Sequence, residues 1–280
     1  MNFDESLTNL MHLCFHMIQS EARKDIDNGD EWKNDAQTLG TKIFRHIASA
    51  QQLSSGLYFE FGEKYKFQHV DHSSIFVITR AATEAFLTFH YLFINDDLNL
   101  SLFRHKTWQL AGLLDRSKLL ASTPNSIEIQ KSEAKDIEVL KSEIHASPFY
   151  IKGNNAFRKG IDSGSWKPAG GLFTISDTAD IHQRYFSDIY NSYSGHSHAS
   201  YISALQIRDA SSIEDQRMLA GSARQNLCLI LSQFLFSYIK IFPNAKHIFE
   251  SDKKLFEIAS MWYVRKTHLN PIYGERAPKK

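Results

Sequence analysis

Apolar side chains recur every three or four residues over most of this chain, and that period predicts helices. Residues 3–27 put Phe3, Leu7, Leu10, Leu13, Cys14, Met17 and Ile18 on one stripe, and Asn28-Gly29-Asp30 ends it. Residues 31–54 repeat the pattern through Trp32, Ala36, Leu39, Ile43 and Ile47. The period then fails: 55–72, with Tyr58, Phe59, Phe61, Tyr65 and Phe67, reads as a loop or a short hairpin. Ser73 is the expected N-cap of a helix over about 74–95. That helix is apolar on two faces, one carrying Ile78, Ala82, Ala85, Phe86, Phe89 and Phe93, the other Phe76, Val77, Leu87 and Tyr91, so it should be buried.

Further helices are predicted over 97–122, 126–146, 178–194, 198–209, 212–241 and 245–266, with 126–146 polar enough for the surface. Residues 147–177, with Pro148, Pro168 and five glycines, read as an irregular insertion, and 270–280 as a disordered tail. No internal repeat or Gly/Ser-rich linker divides the chain. The expected fold class is all-α: a single domain over 1–269, built as an interrupted bundle of about eight helices.

Composition narrows the function more than the fold. The 280 residues carry 32 Lys and Arg against 31 Asp and Glu, so no global charge draws the chain to nucleic acid. Charge is uneven, however: residues 1–35 hold eight acids and three bases, and 264–280 are basic. Cys14 and Cys228 both fall inside apolar helical patterns and are read as reduced, buried thiols. The acidic N-terminus lacks the basic start of a signal peptide. The most apolar stretch, Leu227 to Phe242, is interrupted by Ser232, Gln233, Ser237 and Lys240 and is too short for a membrane span. A cytoplasmic protein without membrane contact is expected.

Two polar groups stand out. Arg80 and Glu84 lie one turn apart on the most apolar helix, where an unpaired charge is costly. A register-fixing ion pair and a functional cleft both explain them. In the second group, Tyr190, Ser194, His198 and Tyr201 would share one face if a helix ran through Gly195. His198 could then serve as acid or base near neutral pH, while His196 would point elsewhere. The irregular segment interleaves aromatics with bases, and Lys152, Arg158, Lys159, Trp166 and Lys167 are candidates for stacking and phosphate contact with single-stranded nucleic acid. His69, Asp71, His72, His196 and His198 could supply metal ligands but match no known spacing, and neither a nucleophile elbow nor a P-loop occurs. No cofactor and no metal are expected.

The run Arg80-Ala-Ala-Thr-Glu84-Ala-Phe, followed by Tyr190-x-x-x-Ser194-x-x-x-His198, resembles a group of bacterial all-helical proteins linked to the HEPN (higher eukaryotes and prokaryotes nucleotide-binding) superfamily. The resemblance spans about residues 70–240. It implies a helical bundle, commonly a homodimer, and for many members a metal-independent endoribonuclease of a toxin–antitoxin or antiphage defence system. Others are inactive partners or binding modules. The HEPN ribonuclease motif places Arg within two turns of His on one helix. No Arg lies just upstream of His198, so a site here would join two helices. On that reading His198 is the acid/base for attack of a ribose 2′-hydroxyl on its own phosphate. Arg80 stabilises the phosphorane, Glu84 holds Arg80, and Tyr190 or Ser194 orients the imidazole. The alternatives are a non-catalytic module that binds a protein partner or an anionic nucleotide, and a metal-dependent hydrolase.

Overall fold

The computed structural model describes residues 3–274. In chain order these are helices α1 (Phe3–Ser20) and α2 (Trp32–Ser54), strands β1 (Leu57–Phe61) and β2 (Tyr65–His69), and helices α3 (His72–Phe93), α4 (Leu98–Ser117), α5 (Pro124–Ala146), α6 (Pro148–Lys152) and α7 (Asn155–Asp162). Helices α8 (Gly171–Thr178), α9 (Gln183–Ser197), α10 (Tyr201–Asp209), α11 (Ile213–Tyr238), α12 (Pro243–Ser251), α13 (Lys253–Trp262) and α14 (Lys266–Tyr273) follow. The class is all-α with one small antiparallel hairpin, and about eight helices was an undercount of the fourteen present among the described residues. The chain forms two compact units. One joins the chain up to His90 with the chain from Leu172 onward, and the other is Tyr91–Gly171.

The first unit is organised by α11. Every residue from Asn226 to Leu235 is buried, because this helix is apolar on all sides and is covered by α1, α2, α12 and α13. Phe89 of α3 meets Phe234 edge-on at 5.1 Å, and Phe234 packs on Tyr238 at 5.3 Å. Gly40 lets α2 approach these rings closely: a Cβ there would lie 3.1 Å from Phe234 and 3.3 Å from Tyr238. The Tyr238 hydroxyl donates to Gln37 Oε1, which satisfies the one polar atom of that ring. The apolar run from Leu227 to Phe242 is therefore core, and no described helix is long and apolar enough to cross a membrane. Cys14 and Cys228 are free and buried.

In the second unit, α4 and α5 pack together through Phe103, Leu110, Ile137 and Ile144, and Ile161 of α7 completes the core. The segment read as irregular is largely helical. Ser147 caps α6 and Asn154 caps α7, with side chains accepting from the backbone N–H groups of Phe149 and Phe157. Helix α6, of five residues, is too short to show an apolar period, and α7 carries only one repeat of it, Phe157 and Ile161, so the caps supply much of their signal.

Other boundaries moved for similar local reasons. Helix α3 starts two residues before the expected 74, and Asp71, not Ser73, caps it by accepting from Ser74 N–H at 3.0 Å. The stretch 245–266 is broken at Asp252, whose side chain caps α13. The expected tail begins inside α14, and its remainder, 275–280, lies outside the described residues.

Candidate functional site

Arg80 and Glu84 project from α3 as their spacing requires, and Tyr190 and Ser194 project from α9 one turn apart. The two pairs meet. Arg80 Nε donates to Glu84 Oε1 at 2.8 Å, Nη2 to the Tyr190 hydroxyl at 2.8 Å and Nη1 to Ser194 Oγ at 3.2 Å. Tyr190 in turn donates to the same Glu84 oxygen at 3.0 Å, and the guanidinium lies 4.6 Å from the centre of its ring. The Arg80 side chain keeps 19% of its exposure and that of Glu84 keeps 35%. Burial works against the Arg80 charge, but the Tyr190 hydroxyl and the Glu84 carboxylate outweigh it and hold the guanidinium above its ordinary value. Burial, and then the bond to Glu84, push the Tyr190 phenol up as well.

The cavity beside this cluster is small. Arg80, Tyr185, Phe186, Tyr190, Tyr193 and Asn226 line about 10 Å³, far below the roughly 300 Å³ at which small-molecule pockets begin. A ligand at Arg80 must therefore rest on the surface of the α3–α9 pair.

His198 is not part of the network. It is the C-cap of α9, one turn beyond Ser194; its backbone N–H bonds Ser194 O, while its exposed side chain bonds no described residue. Helix α9 does run through Gly195, to Ser197. Gly195 is helical and leaves room for Ser200, whose Oγ would lie 2.6 Å from an added Cβ. The chain turns instead at Ala199, which takes a left-handed φ of 49° and removes Tyr201 to the start of α10. His196 is held on both ring nitrogens, Nδ1 to Ser73 Oγ at 3.0 Å and Nε2 to Gln206 Oε1 at 2.8 Å. Neither Ser73 nor Gln206 carries a sequence signal for this bond, because the partners are separated along the chain.

The metal candidates are dispersed in role. Asp71 caps a helix, His196 is engaged as above, and His72 is buried beside His196 with both ring nitrogens unbonded. Among the described residues no three His, Cys, Asp or Glu side chains are grouped to hold a metal ion.

The nucleic-acid candidates all lie in the second unit. Lys152 ends α6, Arg158 and Lys159 lie on α7, and Trp166 and Lys167 follow it. These four cations form no ion pair with any described residue. Lys167 lies 5.2 Å from the ring of Trp166, and Trp166 lies 6.2 Å from Tyr91.

Compared with known proteins, residues 42–215 match DUF5677, described as a family of unknown function. The matched range includes α3 and α9 and therefore the whole Arg80 cluster. No curated protein and no solved structure matches the chain.

Proposed function

We propose that this chain, which belongs to the DUF5677 family, is a helical binding module whose Arg80 cluster grips one phosphate of a nucleotide or an RNA. The observation that carries this reading is the fixed guanidinium. Glu84, Tyr190 and Ser194 engage three of its N–H groups from two helices, and Arg offers five. Two donors remain on a side chain that keeps 19% of its exposure, enough for a fork-like contact with phosphate oxygens. Ser194 accepts from Arg80, so its own hydroxyl proton is available to the same phosphate. Glu84 neutralises the charge locally. Recognition is then by short hydrogen bonds and not by a long-range positive field, in line with the nearly balanced charge of the chain.

A second reading, a metal-independent endoribonuclease, is favoured by His198. Its imidazole is exposed, bonds no described residue and lies one turn from Ser194, where it could exchange a proton with a ribose hydroxyl. The HEPN resemblance supports both readings, and it alone carries the toxin–antitoxin or antiphage setting and a protein partner from such a system.

The test uses a fluorescein-labelled single-stranded RNA and a labelled tRNA with EDTA present. Wild type is compared with Arg80→Gln and His198→Ala, each checked for unchanged circular dichroism. Saturable anisotropy on intact RNA, weakened at least tenfold in Arg80→Gln and unchanged in His198→Ala, is expected of the module. Cleavage by wild type that is lost in His198→Ala would transfer the assignment to the ribonuclease. Neither binding nor cleavage would overturn both.

A further inference from the structure

The least ordinary surface of the first unit is its hairpin. β1 pairs antiparallel with β2 in the register Leu57 with His69, Phe59 with Phe67 and Phe61 with Tyr65. Side chains alternate across a strand, so these six residues share one face. The other face carries Tyr58, Glu60, Lys66 and Gln68, tied together by a Tyr58–Glu60 hydrogen bond of 2.6 Å and a Lys66–Glu60 pair of 3.3 Å. Gly62, at φ 66°, makes the tight turn. The polar face is thus ordinary, while the aromatic face is bare: Phe59, Phe61, Tyr65 and Phe67 are 44–71% exposed. Their rings touch along the strands, Phe59 with Phe61 at 6.2 Å and Phe67 with His69 at 4.7 Å, but among the described residues no second layer lies on them.

A two-stranded sheet is marginal in water unless its apolar face packs against something. We infer that the aromatic face of this hairpin is a homodimer interface, in which the hairpins of two copies stack face to face about a twofold axis. Three observations select a second copy as the occupant. The face is continuous and apolar, so it is complementary to itself, as an interface with twofold symmetry requires. The turn at its end carries one acid, Glu63, and one base, Lys64, so it attracts neither a polyanion nor an acidic membrane and does not repel its own copy. The area fits a weak pair. At the observed exposures the four rings offer on the order of 400 Å² a side, about 800 Å² in a pair. The stems of Glu63, Lys64 and His69 carry the total toward the roughly 1,200 Å² where stable interfaces begin. The two sheets of such a dimer would sit about 10 Å apart with rings interdigitated. The inference is independent of the role given to Arg80.

Sedimentation equilibrium on the full chain tests it. Between about 1 and about 100 µM the wild-type mass should rise from 32.1 kDa toward twice that value. Phe61→Ser/Tyr65→Ser should remain monomeric throughout with unchanged far-UV circular dichroism, and Gln68→Ala on the polar face should dimerise like wild type. Tyr65→Lys, at the most exposed of the rings, is the second variant should the double substitution disturb the hairpin, and it should weaken dimerisation at least tenfold. A wild type that stays monomeric at the highest concentration overturns the inference, as does a dimer that survives both variants. Monomeric wild type that pellets with phosphatidylcholine vesicles also overturns it, and would name a lipid surface as the occupant.

Discussion

The Arg80 cluster and the hairpin depart from ordinary burial in opposite senses. The cluster places charge against an apolar helix pair and satisfies it from within: one carboxylate, one phenol and one hydroxyl surround the guanidinium. The hairpin places four large rings in solvent and satisfies none of them. A half-buried charge must be paired inside the fold, because its desolvation is felt as soon as the helices close. An exposed ring costs little until something arrives to cover it. The first anomaly is therefore resolved within one chain, and the second only by another surface.

Four predictions break or sharpen this contrast. The largest effect is expected from Arg80→Met, which takes the guanidinium from the Glu84 carboxylate and the Tyr190 hydroxyl and leaves them only their bond to each other. Because both remain partly in water, the loss should be about 1–2 kcal/mol, read as a lower urea midpoint. Adding Glu84→Leu should recover part of that loss, since removing both partners costs less than removing one. A double variant whose loss equals the sum of the singles would show that the pair is not coupled.

Next in size is Tyr190→Phe. It removes the hydroxyl that bridges Arg80 and Glu84 but keeps the ring under the guanidinium. About 1 kcal/mol is expected from chemical denaturation.

The third concerns pH. Burial, and then the neighbouring His196, lower the His72 pKa from its ordinary 6.5. The folded state thus resists protonation more than the unfolded chain does. The stability this gives is present above pH 6.5 and declines as pH falls below that value toward the folded pKa. His46, lowered by burial and by Lys42, adds in the same direction. Melting temperature measured from pH 8 to 5 should fall through that window, and His72→Phe should flatten the fall.

The smallest effect on stability belongs to Phe61→Ser. At 63% exposure the ring contributes little to the monomer, so thermal unfolding at low concentration should change by less than about 0.5 kcal/mol. A larger loss would mean that the hairpin face is covered within the chain and would dissolve the contrast.

Much of the fold was legible in the sequence because long helices write their period into it. The stripe of α1 from Leu7 to Ile18, the two-faced burial of α3 and the apolar centre of α11 all follow from side chains alone. The hairpin was half legible: its aromatics marked a break in helical period, but only their pairing placed Phe59, Phe61, Tyr65 and Phe67 on one face. Short helices such as α6 and α7 were not legible as helices, since they show at most one apolar repeat, Phe157 and Ile161 in α7, and their caps resemble loop residues.

The candidate site divides in the same way. That Arg80 meets Glu84, and that Tyr190 lies above Ser194, was fixed by the sequence, because four residues make about one helical turn. The sequence also determined that His198 could not reach Arg80 along a single helix. Tertiary structure alone decided that the two pairs face each other, that Ala199 ends the face before Tyr201, and that His196 is spent on Ser73 and Gln206. The physical reason is range. Helical period and capping act over a few residues and are written locally. The meeting of α3 with α9, more than a hundred residues apart, depends on how the buried faces of the first unit pack, and no stretch of sequence carries that by itself.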